Sequence, residues 1–299
     1  MQNTNDFQVL NFGSLNIDRV YHVDHFVAPK ETLACSYMDT GAGGKGLNQS
    51  IALARAGIAV AHAGKIGPEG DFLLQTLQQA GVDTHWVLRG ETPTGHAIIQ
   101  VDPTAQNSIL LFPGANAEIT PAEILEVLSG QPAGRWLLLQ NEISNPETLM
   151  REAKSRGMKI AMNPAPCTPE IKQLPLGLLD LLVVNEVEAS QLTGAAPEDT
   201  DTQTRLLRQI CPEAEIIITL GSEGAIYSSA KETFRISAVK AKAVDTTSAG
   251  DTFIGYFMAA KLRGLTPQEA MQTAARASAI TVSRPGAADS IPAADEIFH

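Results

Sequence analysis

The stretch LLDLLVVNEVEASQLTG, residues 178–194, changes character at Asn185. Before it runs a short apolar segment of strand type; after it, EVEASQLTG reads as a helix closed by Gly194. The same unit recurs along the chain. WLLLQ (136–140) leads through Asn141 and Glu142 to PETLMREAKSRG, MKIAMN (158–163) ends at Asn163 before PAPCTPE, and EIIITL (215–220) runs into Gly221-Ser222-Glu223-Gly224. Strands alternating with helices predict βαβ units, hence an α/β fold of three layers: a mainly parallel central sheet with helices on both faces. In open sheets of this kind ligands sit beyond the carboxyl ends of the strands. Glu142, Asn163, Asn185 and Gly221 all fall at such ends, which predicts one shared site.

Two regions break the rhythm. Residues 15–40 and 94–112 have the pattern of paired short strands, with turns at Ala28-Pro29-Lys30 and Asp102-Pro103, and no crossover helix between them. They are read as a small β-strand lid over one edge of the main sheet, with two ordinary surface hairpins as the alternative. The rest of 1–299 reads as one domain.

Composition narrows the function. The chain has 299 residues, 44% hydrophobic but only 5% aromatic, which suits a layered α/β core built on Ala, Leu, Val and Ile. Its formal charge of −11 argues against a nucleic-acid partner. No apolar run reaches the ~20 residues of a membrane span, and the start MQNTNDFQVLNFG lacks the features of a signal peptide, so a cytoplasmic protein is expected. Cys35, Cys167 and Cys211 form no CxxC pair and no Cys/His ligand spacing. A metal here should be oxygen-bound Mg²⁺ or an alkali ion rather than zinc.

Two glycine-bearing stretches remain. In DTTSAGDTF (245–253) the second carboxylate, Asp251, stands where an apolar helical run begins, as a helix N-cap would. GAGGKG (41–46) satisfies G-x-G-x-x-G, yet it follows the lid segment and has no acidic residue about twenty positions on, so a dinucleotide fold does not follow. Nor is it a P-loop, since Gly46 rather than Ser or Thr follows Lys45. What remains is a glycine turn that brings backbone and one ammonium close to a polar ligand and then opens a helix.

Taken together, GSLNID (13–18), GGKGLNQ (43–49), KIGPEGDF (65–72), PGAN (113–116), NPAP (163–166), NEVE (185–188), TLGSEG (219–224), VDTTSAGDTF (244–253) and RPGA (284–287) resemble, in order and over essentially the whole chain, the ribokinase-like (PfkB) family of carbohydrate kinases. The resemblance implies ATP-dependent phosphorylation of a primary hydroxyl on a sugar, ribose or a related pentose. Such chemistry is positioning and charge stabilisation rather than covalent catalysis.

By that resemblance Asp251 is the general base, and the backbone amides of Ala249 and Gly250 form the anion hole for the moving phosphoryl group. The sugar would meet Asn16 and Asp18, the backbone of Gly43 and Gly44, and the side chains of Lys45, Asn48 and Glu142. ATP would meet Thr219, Gly221, Ser222 and Gly224, with Val239 lining the adenine and Gly250 at the phosphates. Asn185 and Glu188 would order Mg²⁺ and phosphate, mostly through water. Asp245 would join a K⁺ site with Thr247, Thr281, Arg284, Gly286 and Ser290; the alternative for it is a carboxylate that ties loops. Thr281 departs from the Ala more usual there, which a carbonyl ligand tolerates. A homodimer paired through the lids is also implied. Lys45 resembles the ribokinase form of its motif more than the nucleoside-kinase form, although Tyr21, Tyr37 and Phe112 leave stacking on a base open. A sugar-binding regulator without turnover would have lost the base or the anion hole, and both are present.

Overall fold

Alternate residues of the apolar strands point to opposite faces, so each strand feeds two cores. A computed structural model of the chain describes residues 7–104 and 106–298. In it Val9, Leu138, Ala161, Val183 and Ile217 join one core, while Leu10, Leu137, Ile160, Val184 and Ile218 join the other.

The elements follow in chain order: β1 (Val9–Phe12), β2 (Asn16–His22), β3 (Tyr37–Gly43), α1 (Lys45–Arg55), β4 (Val60–Ile66), α2 (Asp71–Gln79), β5 (Asp83–Arg89), β6 (Gly95–Val101) and β7 (Asn107–Phe112). Then come α3 (Pro121–Leu128), β8 (Trp136–Gln140), α4 (Pro146–Ser155), β9 (Lys159–Asn163), β10 (Leu181–Asn185), α5 (Glu186–Thr193), α6 (Thr200–Ile210) and β11 (Glu215–Thr219). The chain closes with β12 (Ala225–Ser228), β13 (Thr233–Ile236), α7 (Ala249–Leu262) and α8 (Pro267–Val282). Among the described residues a nine-stranded sheet runs β13-β12-β11-β10-β9-β8-β1-β4-β5. It is parallel from β11 through β5. Helices α1, α2, α7 and α8 cover one face and α3 to α6 the other, giving the three layers expected.

Strand β11 departs from the repeat. No crossover helix follows it; the chain turns at Gly221–Glu223 and returns as antiparallel β12 and β13. Gly224 makes this turn possible, because it sits at φ 107° with its α-carbon so close to β13 that a Cβ would meet the Ile236 carbonyl at 2.0 Å.

The segments read as paired short strands form a separate four-stranded sheet, β3-β2-β6-β7, in which two antiparallel pairs are joined by parallel β2 and β6. The glycine stretch also differs from expectation. Gly41 and Gly43 complete β3 opposite Asp18 and Asn16, and the helix opens directly at Lys45. The small sheet therefore runs into GGKGLNQ without an intervening loop. β7 is exposed along its whole length, with Ile109 and Leu110 more than half accessible.

Helix α7 is buried from Asp251 to Ala260 and crosses α1 at close range. A Cβ on Gly255 would meet Ala52 Cβ at 2.4 Å. Asp251 lies one turn before Gly255, and Asn48 one turn before Ala52, so the close crossing brings those two polar residues face to face.

Candidate active site

The sheet order reverses around β1: β4 and β5 lie on one side and β8 onward on the other. The carboxyl ends of β1 and β8 flank this switch point, the usual ligand crevice of such sheets. Ser14, just beyond β1, and Glu142, just beyond β8, meet there. The Ser14 hydroxyl and the Lys45 backbone N–H (3.1 Å) both donate to Glu142 Oε2. Gly46 N–H in turn donates to Ser14 Oγ at 3.2 Å, so the opening turn of α1 is bolted to the crevice.

Asp18 projects from β2 against Gly43, where a Cβ would lie 2.0 Å from its carboxylate. Asn16 is buried, its Oδ1 accepting from Asn116 Nδ2 at 2.8 Å while Asn116 Oδ1 accepts from Leu15 N–H at 3.0 Å. Ser14 and Asn116 were not singled out from sequence, although both lie inside the quoted GSLNID and PGAN stretches. Their hydrogen bonds run to Glu142 and Gly46 and to Leu15 and Asn16, long-range contacts that sequence spacing does not reveal.

The pocket is electrostatically loaded. Burial, reinforced by the charge of Glu142, pushes the Asp18 carboxyl up to about 6, and burial raises Glu142 as well. Burial would lower the Lys45 ammonium, but Asp251, Glu142 and Glu188 outweigh it and hold the group above its ordinary value. If Asp18 holds a sugar hydroxyl, the ionised carboxylate accepts that hydrogen bond more strongly than the neutral acid, so binding below about pH 6 favours loss of the proton. The KM for sugar should then rise by up to about tenfold per pH unit below pH 6, while the KM for nucleotide stays flat. Steady-state kinetics between pH 5 and pH 7.5 test this, and a flat sugar KM in that range would contradict it. The same shift means that folding stability contributed at Asp18 falls as pH rises from the ordinary aspartate range through about 6, because the folded chain holds that proton more tightly.

Asp251 is not the N-cap suggested by its place in sequence. Ser248 takes that position at φ 60°, without a side-chain cap bond, and Asp251 lies two residues inside the helix, buried. Its oxygens face α1 instead: Asn48 Nδ2 donates to Oδ2 at 3.3 Å and Gln49 Nε2 to Oδ1 at 2.9 Å. Ala249 and Gly250 open the helix at its positive end. The Ala249 N–H reaches the Thr246 carbonyl at 3.3 Å, whereas Gly250 is exposed and has no atom within 4 Å of where its Cβ would be.

Asn185 and Glu188 form a capping box on α5. Asn185 Oδ1 accepts from Glu188 N–H at 2.7 Å, and Glu188 Oε2 accepts from Asn185 N–H at 3.0 Å. That accounts locally for their spacing, yet burial raises Glu188 and it feels the charges of Lys45 and Asp251, so it also faces the centre. Thr219 ends β11, and its hydroxyl donates to the Val184 carbonyl at 3.4 Å; Gly221 and Ser222 are exposed on the turn beyond it. Val239 is 43% exposed and lines a cleft of about 440 Å³ with Lys240 and, from α8, Arg276, Ala279 and Ile280.

Of the residues grouped with Asp245, the structure brings Thr247 and Gly286 against it. Asp245 accepts from Thr247 N–H at 2.9 Å and from Gly286 N–H at 3.0 Å, so two amides already offset its charge and tie the two loops together. Thr281 is buried, its hydroxyl donating to Thr252 Oγ1 at 3.0 Å. The Arg284 side chain turns away to Glu296, and Ser290 Oγ donates to the Ala287 carbonyl at 2.7 Å. Among the described residues no helix is long and apolar enough to cross a membrane.

Comparison with known proteins identifies the family. Residues 6–294 match the pfkB family carbohydrate kinases. A ribokinase of Schizosaccharomyces pombe is 37% identical, covering 97% of this chain and 96% of its own, and one of Haemophilus influenzae is 35% identical with 96% of each chain covered. Among solved structures, that of Arabidopsis thaliana ribokinase complexed with ribose and ATP superposes with a TM-score of 0.87 at 28% identity, covering 98% of this chain and 97% of that one.

Proposed function

Because this chain belongs to the pfkB family of carbohydrate kinases, we propose that it transfers the γ-phosphate of ATP to the primary hydroxyl of ribose, in the cytoplasm, with Asp251 as the general base. The observation that carries the assignment is the meeting of Asp251 with Asp18, Lys45 and Glu142 in one crevice, at the positive end of α7. Asp18, Glu142, Asn16 and Asn48 offer the mixed donors and acceptors that hydroxyls need, and Lys45 adds a point charge. Gly43 and Gly44 let backbone approach.

The reaction balances simply. The hydroxyl oxygen attacks the γ-phosphorus as its proton passes to Asp251 Oδ, the bond from phosphorus to the bridging oxygen breaks, and ADP leaves. The amides of Ala249 and Gly250 receive the charge that develops on the moving group, with Gly250 the more open of the two. Thr219, Gly221, Ser222 and Gly224 take the nucleotide, and Val239 packs on the adenine at the mouth of its cleft.

The residues also suit the ions. Glu188 uses Oε2 for its cap, which leaves a second carboxylate oxygen beside Asn185 for hydrated Mg²⁺. Mg²⁺ supplies charge neutralisation on the phosphates. A K⁺ ion suits the carbonyls of Thr281, Arg284 and Gly286 at the negative end of α8, with Asp245, Thr247 and Ser290 beside them. Their shared task is to fix the loop that carries Ala249 and Gly250. Activity should therefore be severalfold higher in K⁺ than in Na⁺ at equal ionic strength, and Asp245→Ala should erase the difference. Equal rates with ion-stripped enzyme would return Asp245 to loop tying alone.

The exposed apolar strand β7 supports pairing of two lids in a homodimer; light scattering that returns a single 31.8 kDa chain would exclude it. ADP release across ribose, 2-deoxyribose, hexoses and nucleosides tests the substrate. Ribose should give the highest kcat/KM, and a preferred nucleoside would replace it. Tyr37 stacks on His22 (3.9 Å between centroids) and Phe112 packs on His96.

A further inference from the structure

A carboxylate acting as a base must hold one oxygen toward its substrate, and the neighbours of Asp251 bear on how that orientation is fixed. Gln49 Nε2 donates to Asp251 Oδ1 at 2.9 Å and also reaches Asn163 Oδ1 at 3.3 Å. Gln49 Oε1 accepts from Gln140 Nε2 at 2.6 Å, and that same Gln140 nitrogen donates to Asn11 Oδ1 at 3.0 Å. Asn11 Nδ2 then donates to the Gly46 carbonyl at 2.7 Å and to Ser50 Oγ at 2.8 Å. Asn11, Gln49, Ser50, Gln140 and Asn163 are all buried.

An amide can in principle present either end. Here the choice is forced from the far terminus. A backbone carbonyl only accepts, so Asn11 must turn its nitrogen to Gly46 and its oxygen to Gln140. Gln140 must then turn its nitrogen to Gln49, which leaves Gln49 with only its nitrogen for Asp251. Reversing any one link would bring two donors or two acceptors together in a buried site, at the cost of an unpaired polar group. At the Ser50 branch the hydroxyl can donate to His62 Nδ1 at 2.8 Å, since burial depresses that imidazole to about 4 and keeps it neutral.

We propose that Gln49 is a positioning residue for Asp251: a relay of amides, polarised from the Gly46 carbonyl through Asn11 and Gln140, obliges Gln49 to donate to Oδ1 and so fixes the carboxylate with its charge toward the reacting hydroxyl. The proposal rests on Asp251 being the base. Anchoring the relay at Gly46, inside the turn that also carries Lys45, links the setting of the base to the sugar subsite.

Gln49→Glu is the discriminating variant. It keeps an oxygen for Gln140 and the length of the side chain, but offers Asp251 an acceptor in place of a donor. The expected result is a kcat about tenfold lower at pH 7.5 and an acid limb of the kcat profile moved about one pH unit or more upward, because a like charge beside a carboxylate favours its protonated form. The KM for ATP should stay within threefold. Gln49→Leu, which cannot share a proton, should lose kcat to a similar extent without moving the limb. Nucleotide-induced thermal stabilisation shows that each variant is folded. If both variants fold and keep kcat within twofold, or if the limb of Gln49→Glu does not move, the positioning role is overturned. Asp251→Asn run alongside separates the two ideas: turnover retained by that variant removes the base, whereas turnover lost there but kept in both Gln49 variants removes only the relay.

Discussion

Asp251→Asn is expected to leave ATP binding near that of the parent while kcat falls by about two to four orders of magnitude, the range for loss of a positioned general base. The substitution is nearly isosteric. The carboxamide it introduces keeps an oxygen to accept from Gln49 Nε2, which lies 2.9 Å from Asp251 Oδ1 in the parent, so the crossing of α1 and α7 at Gly255 and Ala52 should persist. What is lost is a site for the proton. A single-turnover measurement isolates the chemical step, and a variant that retains more than a tenth of the parent rate there would show that the hydroxyl proton leaves by another path.

The second large effect is expected at a residue with no side chain. A Cβ at Gly43 would lie 2.0 Å from Asp18 Oδ2 and 2.2 Å from its Cγ, closer than atoms can approach. Gly43→Ala must therefore move the Asp18 carboxylate, which is the flexible partner, rather than break the β2–β3 ladder. Hydrogen bonds to a charged group contribute ~1.5–3 kcal/mol, so the KM for sugar should rise by about 10- to 100-fold while the KM for ATP holds. Asp18→Asn should raise the sugar KM too and flatten its dependence on pH. An unchanged sugar KM in Gly43→Ala would mean that Asp18 is not a sugar ligand.

The fold was largely legible because its strands are short apolar runs with polar ends, and Asn163 and Asn185 close β9 and β10 where the sequence breaks. The strand pairs of the small sheet were legible for a similar reason: 15–40 and 94–112 carry strand patterns without a helix between. The hairpin after β11 was not, since only the position of Gly224 against the Ile236 carbonyl of β13 decides it. Among site residues, local motif order put Asp18, Lys45, Glu142 and Asp251 within one reading, but not their mutual geometry. Asp251 looks like an N-cap in sequence because the cap itself, Ser248, adopts a left-handed conformation that no local pattern announces. Gln49 stood next to Asn48 in a quoted motif and still went unassigned. Its contacts reach Asp251 and Gln140, 202 and 91 residues away, and the polarity of its amide is settled at Gly46 through two further residues. The capping box at Asn185 and Glu188 shows the converse: a spacing that a family motif reads as phosphate chemistry also has a complete local explanation.

Transfer of phosphate to a primary hydroxyl is tested most directly by ³¹P NMR of the products formed from ribose and ATP. One equivalent of ADP should appear with one equivalent of a new phosphomonoester, split into a triplet by the two protons of a CH₂ carbon. Inorganic phosphate in place of the ester, or a doublet from a phosphate on a CH carbon, would contradict the assignment of Asp251 as base to a primary hydroxyl.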